Sequence, residues 1–236
     1  MKYLVPILLF LTLNLQAFES TNLQLLYSNS FNGNSFVYDT QDGKKTTVTF
    51  EHFRTFSYGD FFMFVDIVDG KKFDNRDTDI YAEFAPRLSF SKLLDKDLNF
   101  SILKDISIAT QMEKAFDNGD HYRAYLYGLG FDFRLPLLNV FSLNIYNKTD
   151  NINSDSTYQL TAVYSSKELL GLHFEGFIDA TKRDFSTQNQ VLYNLDSILS
   201  IDEKLYIGIE WLYYDYDYKA TRYKTSAVQG MIKYSF

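Results

Sequence analysis

The sequence predicts an all-β protein: a closed antiparallel transmembrane β-barrel of about twelve strands, with both termini on the periplasmic side. Three observations predict it. Apolar and polar residues alternate with period 2 along most of the chain. The first residues have the pattern of a secretion signal. The connections between alternating segments fall into two kinds, polar and often long on one side and compact on the other, as in outer-membrane barrels.

Composition bounds the reading. Hydrophobic residues make up 46% of 236 positions, yet mean hydropathy is −0.22. Apolar and polar residues are therefore interleaved rather than blocked. No composition shift or linker divides the chain, which predicts one domain. Cysteine is absent, excluding disulfides, thiolate metal sites and a cysteine nucleophile. A net charge of −7 argues against a nucleic-acid partner.

"MKYLVPILLFLTLNLQA" has a basic start at Lys2, an apolar stretch from Leu4 to Leu13 and a small residue at Ala17. Residues 1–17 are predicted to be a signal peptide, leaving 18–236 as the barrel. The stretch is too short for a membrane-spanning helix; a buried N-terminal helix is the alternative. Removing Lys2 takes the net charge from −7 to −8.

Twelve alternating segments follow, near residues 21–30, 46–56, 61–68, 79–91, 98–113, 121–134, 139–148, 158–165, 171–181, 190–200, 205–217 and 224–236. Most have the 9–11 or so residues that a tilted strand needs to cross a bilayer. In "LYIGIEWLYY", Leu205, Ile207, Ile209, Trp211 and Tyr213 form one face and Tyr206, Gly208, Glu210, Leu212 and Tyr214 the other. "SLNIYNK" sets Leu143 and Ile145 against Asn144, Tyr146 and Lys148; "LHFEGFID" sets Leu172, Phe174 and Ile178 against His173, Glu175, Phe177 and Asp179. In the last segment Val228, Ile232, Tyr234 and Phe236 oppose Gln229 and Lys233. Phe236 is expected on the lipid side of the strand that closes the barrel, leaving no open edge in hydrocarbon.

"FNGNSFVYDTQDGKK", "DGKKFDNRD", "TDNINSDST" and "KRDFSTQN" are polar connections; "SYGD", "KLLDKD", "LPLL", "SKELL" and "IDEK" are compact. A soluble sandwich or lipocalin-like barrel alternates too, with its apolar face inward. The signal, the loop asymmetry and Tyr/Phe at strand ends, as in interfacial girdles, favour the membrane.

The stretch "EFAPRLSFSKLLDKDLNF", Glu83 to Phe100, resembles the segment E-x-E-P-R-x-S-x-x-K-L of the Tsx-type nucleoside-specific channel family. Glu83, Pro86, Arg87, Ser89, Lys92 and Leu93 match; Ala85 stands where the motif has a second acid. "YLYGLGFDF", "SLNIYNK" and the closing "IKYSF" follow in the same order. The resemblance spans nearly all the chain after residue 17. It implies a monomeric twelve-stranded channel in the outer membrane of a Gram-negative bacterium, passing nucleosides or similar small solutes.

With apolar faces toward lipid, the other faces line a lumen. Candidate lumen and substrate-contacting residues are Phe62, Phe64, Glu83, Arg87, Asp132, Tyr146, Glu175, Asp179, Tyr206, Glu210 and Tyr214. Asp66, Asp105, Gln111, Glu113, Asn144, Lys148, His173, Phe177, Asp196, Gln229 and Lys233 belong to the same faces. Aromatic rings can stack on a base while carboxylates and arginine bond sugar hydroxyls. A net-acidic lumen disfavours nucleotides relative to nucleosides. The competing role for each residue is bracing of the wall, as for an inward Glu83–Arg87 pair, and a one-residue slip would exchange the two faces.

Enzymatic readings find little support. An outer-membrane lipid hydrolase needs a Ser–His arrangement; only His52, His121 and His173 are present, and no G-x-S-x-G occurs. No histidine pair has metal-ligand spacing and no Gly-rich phosphate loop exists. "DNGD" reads as a turn. No catalytic residue, metal or cofactor is implied. The partners implied are solutes, outer-membrane lipids and the barrel assembly machinery. The remaining alternative is a structural or adhesive barrel with a plugged lumen.

Overall fold

The computed structural model describes residues 18–31, 39–71, 78–98, 100–116, 122–153, 155–199, 204–218 and 221–236. The segment 1–17 and His121 lie outside them. Twelve strands form one closed antiparallel barrel: β1 (Glu19–Ser28), β2 (Lys45–Phe56), β3 (Gly59–Asp69), β4 (Thr78–Ser89), β5 (Leu103–Phe116), β6 (Arg123–Phe133), β7 (Leu138–Asp150), β8 (Thr157–Ser166), β9 (Leu172–Thr181), β10 (Phe185–Asn194), β11 (Lys204–Tyr218) and β12 (Thr221–Ser235). Each strand pairs with its sequence neighbours, and β1 closes on β12 with Leu23 opposite Tyr234 and Leu25 opposite Ile232. No strand edge is left unpaired, the condition for a sheet to sit in hydrocarbon.

The alternation decides which face is which. Val228 and Ile232 are 51% and 49% exposed on the outside, whereas inward Gln24 and Gln159 are 1% and 2% exposed. A soluble barrel would show the reverse. Ile207, Ile209 and Trp211 belong to the outer set; the Trp211 indole donates to Ser226 Oγ at 3.1 Å.

Two strands lie elsewhere than the sequence predicts. The segment expected at 98–113 runs from Leu103 to Phe116, and the one at 190–200 from Phe185 to Asn194. "FSTQN" reads as loop because Thr187 and Asn189, on its outer face, are as polar as Ser186 and Gln188 on its inner face. Its strand is set by pairing with β9 and β11. Asp196 accordingly leaves the wall: it opens the short helix α2 (Asp196–Leu199) and accepts from Leu205 N at 2.9 Å.

The loop asymmetry is partial. Residues 29–44 separate β1 from β2, whereas only 182–184 separate β9 from β10 on the same rim. On the rim holding both termini, "SYGD" and "LPLL" are tight, but 90–102 contains helix α1 (Phe90–Leu94). Ser89 caps α1 by accepting from Lys92 N at 3.1 Å, and Asp95 ends it in the left-handed region at φ 49°. The apolar "KLL" that looks compact in sequence is this turn of helix.

The described ends of the 29–44 connection fold into the barrel mouth. Phe31 is fully buried against Leu212, Ala227 and Tyr214, with the Lys45 ammonium 4.2 Å from its ring centre. Asp39 accepts from Thr225 Oγ1 at 3.2 Å.

Candidate functional site

The inner face encloses a cavity of about 2010 Å³. Its wall reaches from Phe18 and Lys104 at the rim of the termini to Asn153 and Asp184 at the opposite rim. Strand alternation puts one side chain in two on this wall. All eleven residues singled out in sequence lie on it, but in different networks.

A polar belt crosses β4 to β9. Tyr81 Oη donates to Glu83 at 2.7 Å. Gln111 Nε2 donates to Glu83 at 2.9 Å and to Glu113 at 3.1 Å. Lys148 Nζ donates to Glu113 at 2.8 Å and to Gln159 at 2.9 Å. Gln159 donates to Thr161, and Thr161 to Asp179 at 2.5 Å. Phe62, Phe64 and Tyr81 form an aromatic strip beside the belt, with ring centres 6.0 Å apart for the first pair and 5.8 Å for the second.

Arg87 forms a separate clamp. Its Nε and Nη2 donate to the two oxygens of Asp60 at 2.8 and 3.0 Å, and Nη1 donates to Asp132 at 2.8 Å. Ser142 also donates to Asp132, at 2.5 Å. The bracing pair Glu83–Arg87 expected from sequence does not form. Four residues along a strand span about 13 Å, so each turns to neighbouring strands instead. Tyr146 is buried beside Ala109, Ala124 and Leu126 and packs as wall.

On the other side Gln190 Nε2 donates to Gln24 at 3.0 Å and to Glu210 at 2.9 Å. Gln229 Nε2 donates to Glu210 at 3.0 Å. Lys233 lies between Glu51, at 3.4 Å, and Glu175; it joins β2 and β9 from β12. Glu175 also bonds His173 Nε2 at 2.9 Å. Tyr214 Oη accepts from Gln188 at 2.5 Å. Tyr206 Oη donates to Glu168 at 3.4 Å. In the 182–184 connection, burial pushes the Asp184 carboxyl up from its ordinary value.

Three features escaped the sequence reading. Tyr81 shares a face with Glu83 and Arg87, two residues before Glu83, so alternation alone could have found it. Gln188 was hidden by the misplaced strand start, whereas Gln190 lay inside the expected 190–200 segment and was not singled out. Two residues of the matched motif turn out to hold the rim together: Ser89 caps α1 and donates to Asp105, and Lys92 Nζ donates to the carbonyls of Phe56 and Gly59 at 3.0 and 2.8 Å. Pro86 lacks a donor; pairing with β5 is interrupted there and resumes in the same register, with Thr110 Oγ1 donating to the Pro86 carbonyl at 3.0 Å.

An apolar outer belt, a polar inner wall and a cavity running between the rims define a solute channel of the Gram-negative outer membrane. The chain belongs to the family described as nucleoside-specific channel-forming protein, Tsx, whose model matches residues 22–219. This is a family of channels, not of enzymes. Outer membrane protein OmpK of Vibrio parahaemolyticus is 28% identical over 106 residues, a match covering 42% of this chain and 40% of that protein's length. Among solved structures, the KdgM porin in complex with disordered oligogalacturonate has a TM-score of 0.50 at 13% identity, over 92% of this chain and 99% of that one. The KdgM porin alone gives 0.50 at 12% identity, over 93% and 99%. At such identities the likeness is one of fold.

Proposed function

We propose that the protein is a passive, substrate-selective outer-membrane channel for nucleosides or similar small ring-bearing solutes. It would act after removal of residues 1–17, with the rim of the termini facing the periplasm. The observation that carries this reading is the strip Phe62–Phe64–Tyr81 lying against the Glu83–Gln111–Glu113 belt inside the cavity. A base stacks on the rings while ribose hydroxyls exchange with the belt's hydrogen bonds. Each contact is weak and several lie along the wall, which suits passage rather than capture. Stacking is worth roughly 1–3 kcal/mol per base, so one lost ring weakens binding about tenfold if it supplied about 1.4 kcal/mol.

The test is swelling of proteoliposomes in adenosine or thymidine against a disaccharide of similar size, in wild type and in Phe62→Ala/Phe64→Ala. Wild type should admit nucleoside faster, and the double variant should lose that preference. Equal wild-type rates would indicate a general pore, and no swelling a structural barrel. A preference surviving the double change would keep selective transport and remove these two rings from it.

A further inference from the structure

The charge on this protein is concentrated on the channel wall. Fifteen carboxylates and seven lysines or arginines line the cavity among the described residues, an excess of eight negative charges. The whole chain carries −7, so the remainder is close to neutral. The cations deep in the wall already face acids: Arg87 faces Asp60 and Asp132, Lys148 faces Glu113, and Lys233 faces Glu51 and Glu175. Among the described residues, Asp66, Glu83, Asp179 and Glu210 instead accept hydrogen bonds from neutral donors: Thr49, Tyr81 and Gln111, Thr161, and Gln190 and Gln229. These four come from β3, β4, β9 and β11, so they stand on both sides of the lumen.

A second observation points to what they attract. Gln190 and Gln229 are 7% and 3% exposed. Both spend an amide N–H on Glu210, and the Oε1 of each has no partner among the described residues. Around Glu210 there is thus a surplus of acceptors and a shortage of donors or positive charge.

We propose that the channel selects cations over anions, through these four carboxylates and the acceptor-rich wall around Glu210. A wall of one charge sign enriches the opposite ion and repels its own. The proposal rests on the open-channel part of the function given above and not on the nucleoside. Its consequence for substrates is that neutral or cationic ring-bearing solutes pass and phosphorylated ones are rejected.

The experiment is the reversal potential of the full-length channel in a planar bilayer under a tenfold KCl gradient. The dilute side is kept near 0.1 M, where the screening length is about 10 Å. The expected result is a potassium-to-chloride permeability ratio of about fivefold or more. Glu83→Gln/Asp179→Asn/Glu210→Gln should lower that ratio at least about twofold, provided heat-modifiable gel migration shows the variant folded. A wild-type ratio of one, or preference for chloride, would overturn the proposal. A cation preference unchanged in the folded triple variant would overturn the assignment to these carboxylates. Absence of any conductance would overturn both this proposal and the channel reading. Cation selectivity without nucleoside preference in the swelling assay would leave this proposal standing and remove the nucleoside.

Discussion

Replacing Arg87 by methionine separates wall bracing from solute contact. The guanidinium makes two bonds to Asp60, at 2.8 and 3.0 Å, and two to Asp132, at 2.8 and 3.4 Å. Its side chain is 14% exposed, and those of Asp60 and Asp132 are 14% and 22% exposed. Methionine keeps much of the volume but leaves two carboxylates facing each other with no cation between them. Stranding charges this way costs about 3–5 kcal/mol in a dry interior. The lumen admits water and Asp132 keeps its bond from Ser142, so about 2–3 kcal/mol is the expected loss here. With an m-value of about 2 kcal/mol per molar urea, the unfolding midpoint falls by roughly 1–1.5 M. Trp211 is the single tryptophan and lies on the outer face, so its fluorescence in lipid vesicles follows the transition. Asp60→Asn/Arg87→Met/Asp132→Asn removes the stranded charges and should recover at least half of the loss. A midpoint shift below about 0.3 M for Arg87→Met, or a triple variant no better than the single one, would refute the clamp. Arg87 would then be free to serve solutes.

Two further outcomes test register and orientation. Val228 and Gln229 are adjacent and face opposite ways, so Val228→Arg should cost up to about 2–4 kcal/mol, the value for arginine at the bilayer midplane. Gln229→Lys should fold and lower cation selectivity by pairing with Glu210; urea titration and reversal potential read the two, and equal damage would mean a slipped register. An epitope inserted after Asp42, in the 29–44 connection, should be labelled on intact cells, and one after Glu168, in the 167–171 turn, only after the outer membrane is opened. The opposite pattern would invert the proposed placement of the termini.

How much was legible depended on whether a residue's role followed from its face or from its partners. Period 2 is a local property of the chain, so the inward direction of Glu83, Glu175, Glu210 and Tyr214 could be read directly from their neighbours. The closed twelve-strand barrel, the outer-membrane setting and the family resemblance followed from the same pattern and from the Glu83–Leu93 motif. "FSTQN" was not legible as strand because both its faces are polar, and a strand without contrast has no period to detect. Its pairing energy comes from β9 and β11, residues that sequence places before and after it without saying how they align. The partners of Arg87 were equally hidden. Alternation shows that Arg87 points inward, but Asp60 and Asp132 stand 27 and 45 positions away, and only the register of β3 on β4, which sets Asp60 opposite Arg87, and of β5 and β6 beyond it brings them within reach. The same holds for Lys233, which meets Glu51 across 182 positions because β12 closes on β1. Where the two faces of a strand contrast, sequence by itself determined which side chains face the lumen, since that is set by backbone geometry within a strand. Tertiary structure alone decided which of them neutralise one another and which carboxylates are left facing the solute, since that depends on distances across strands and across the lumen.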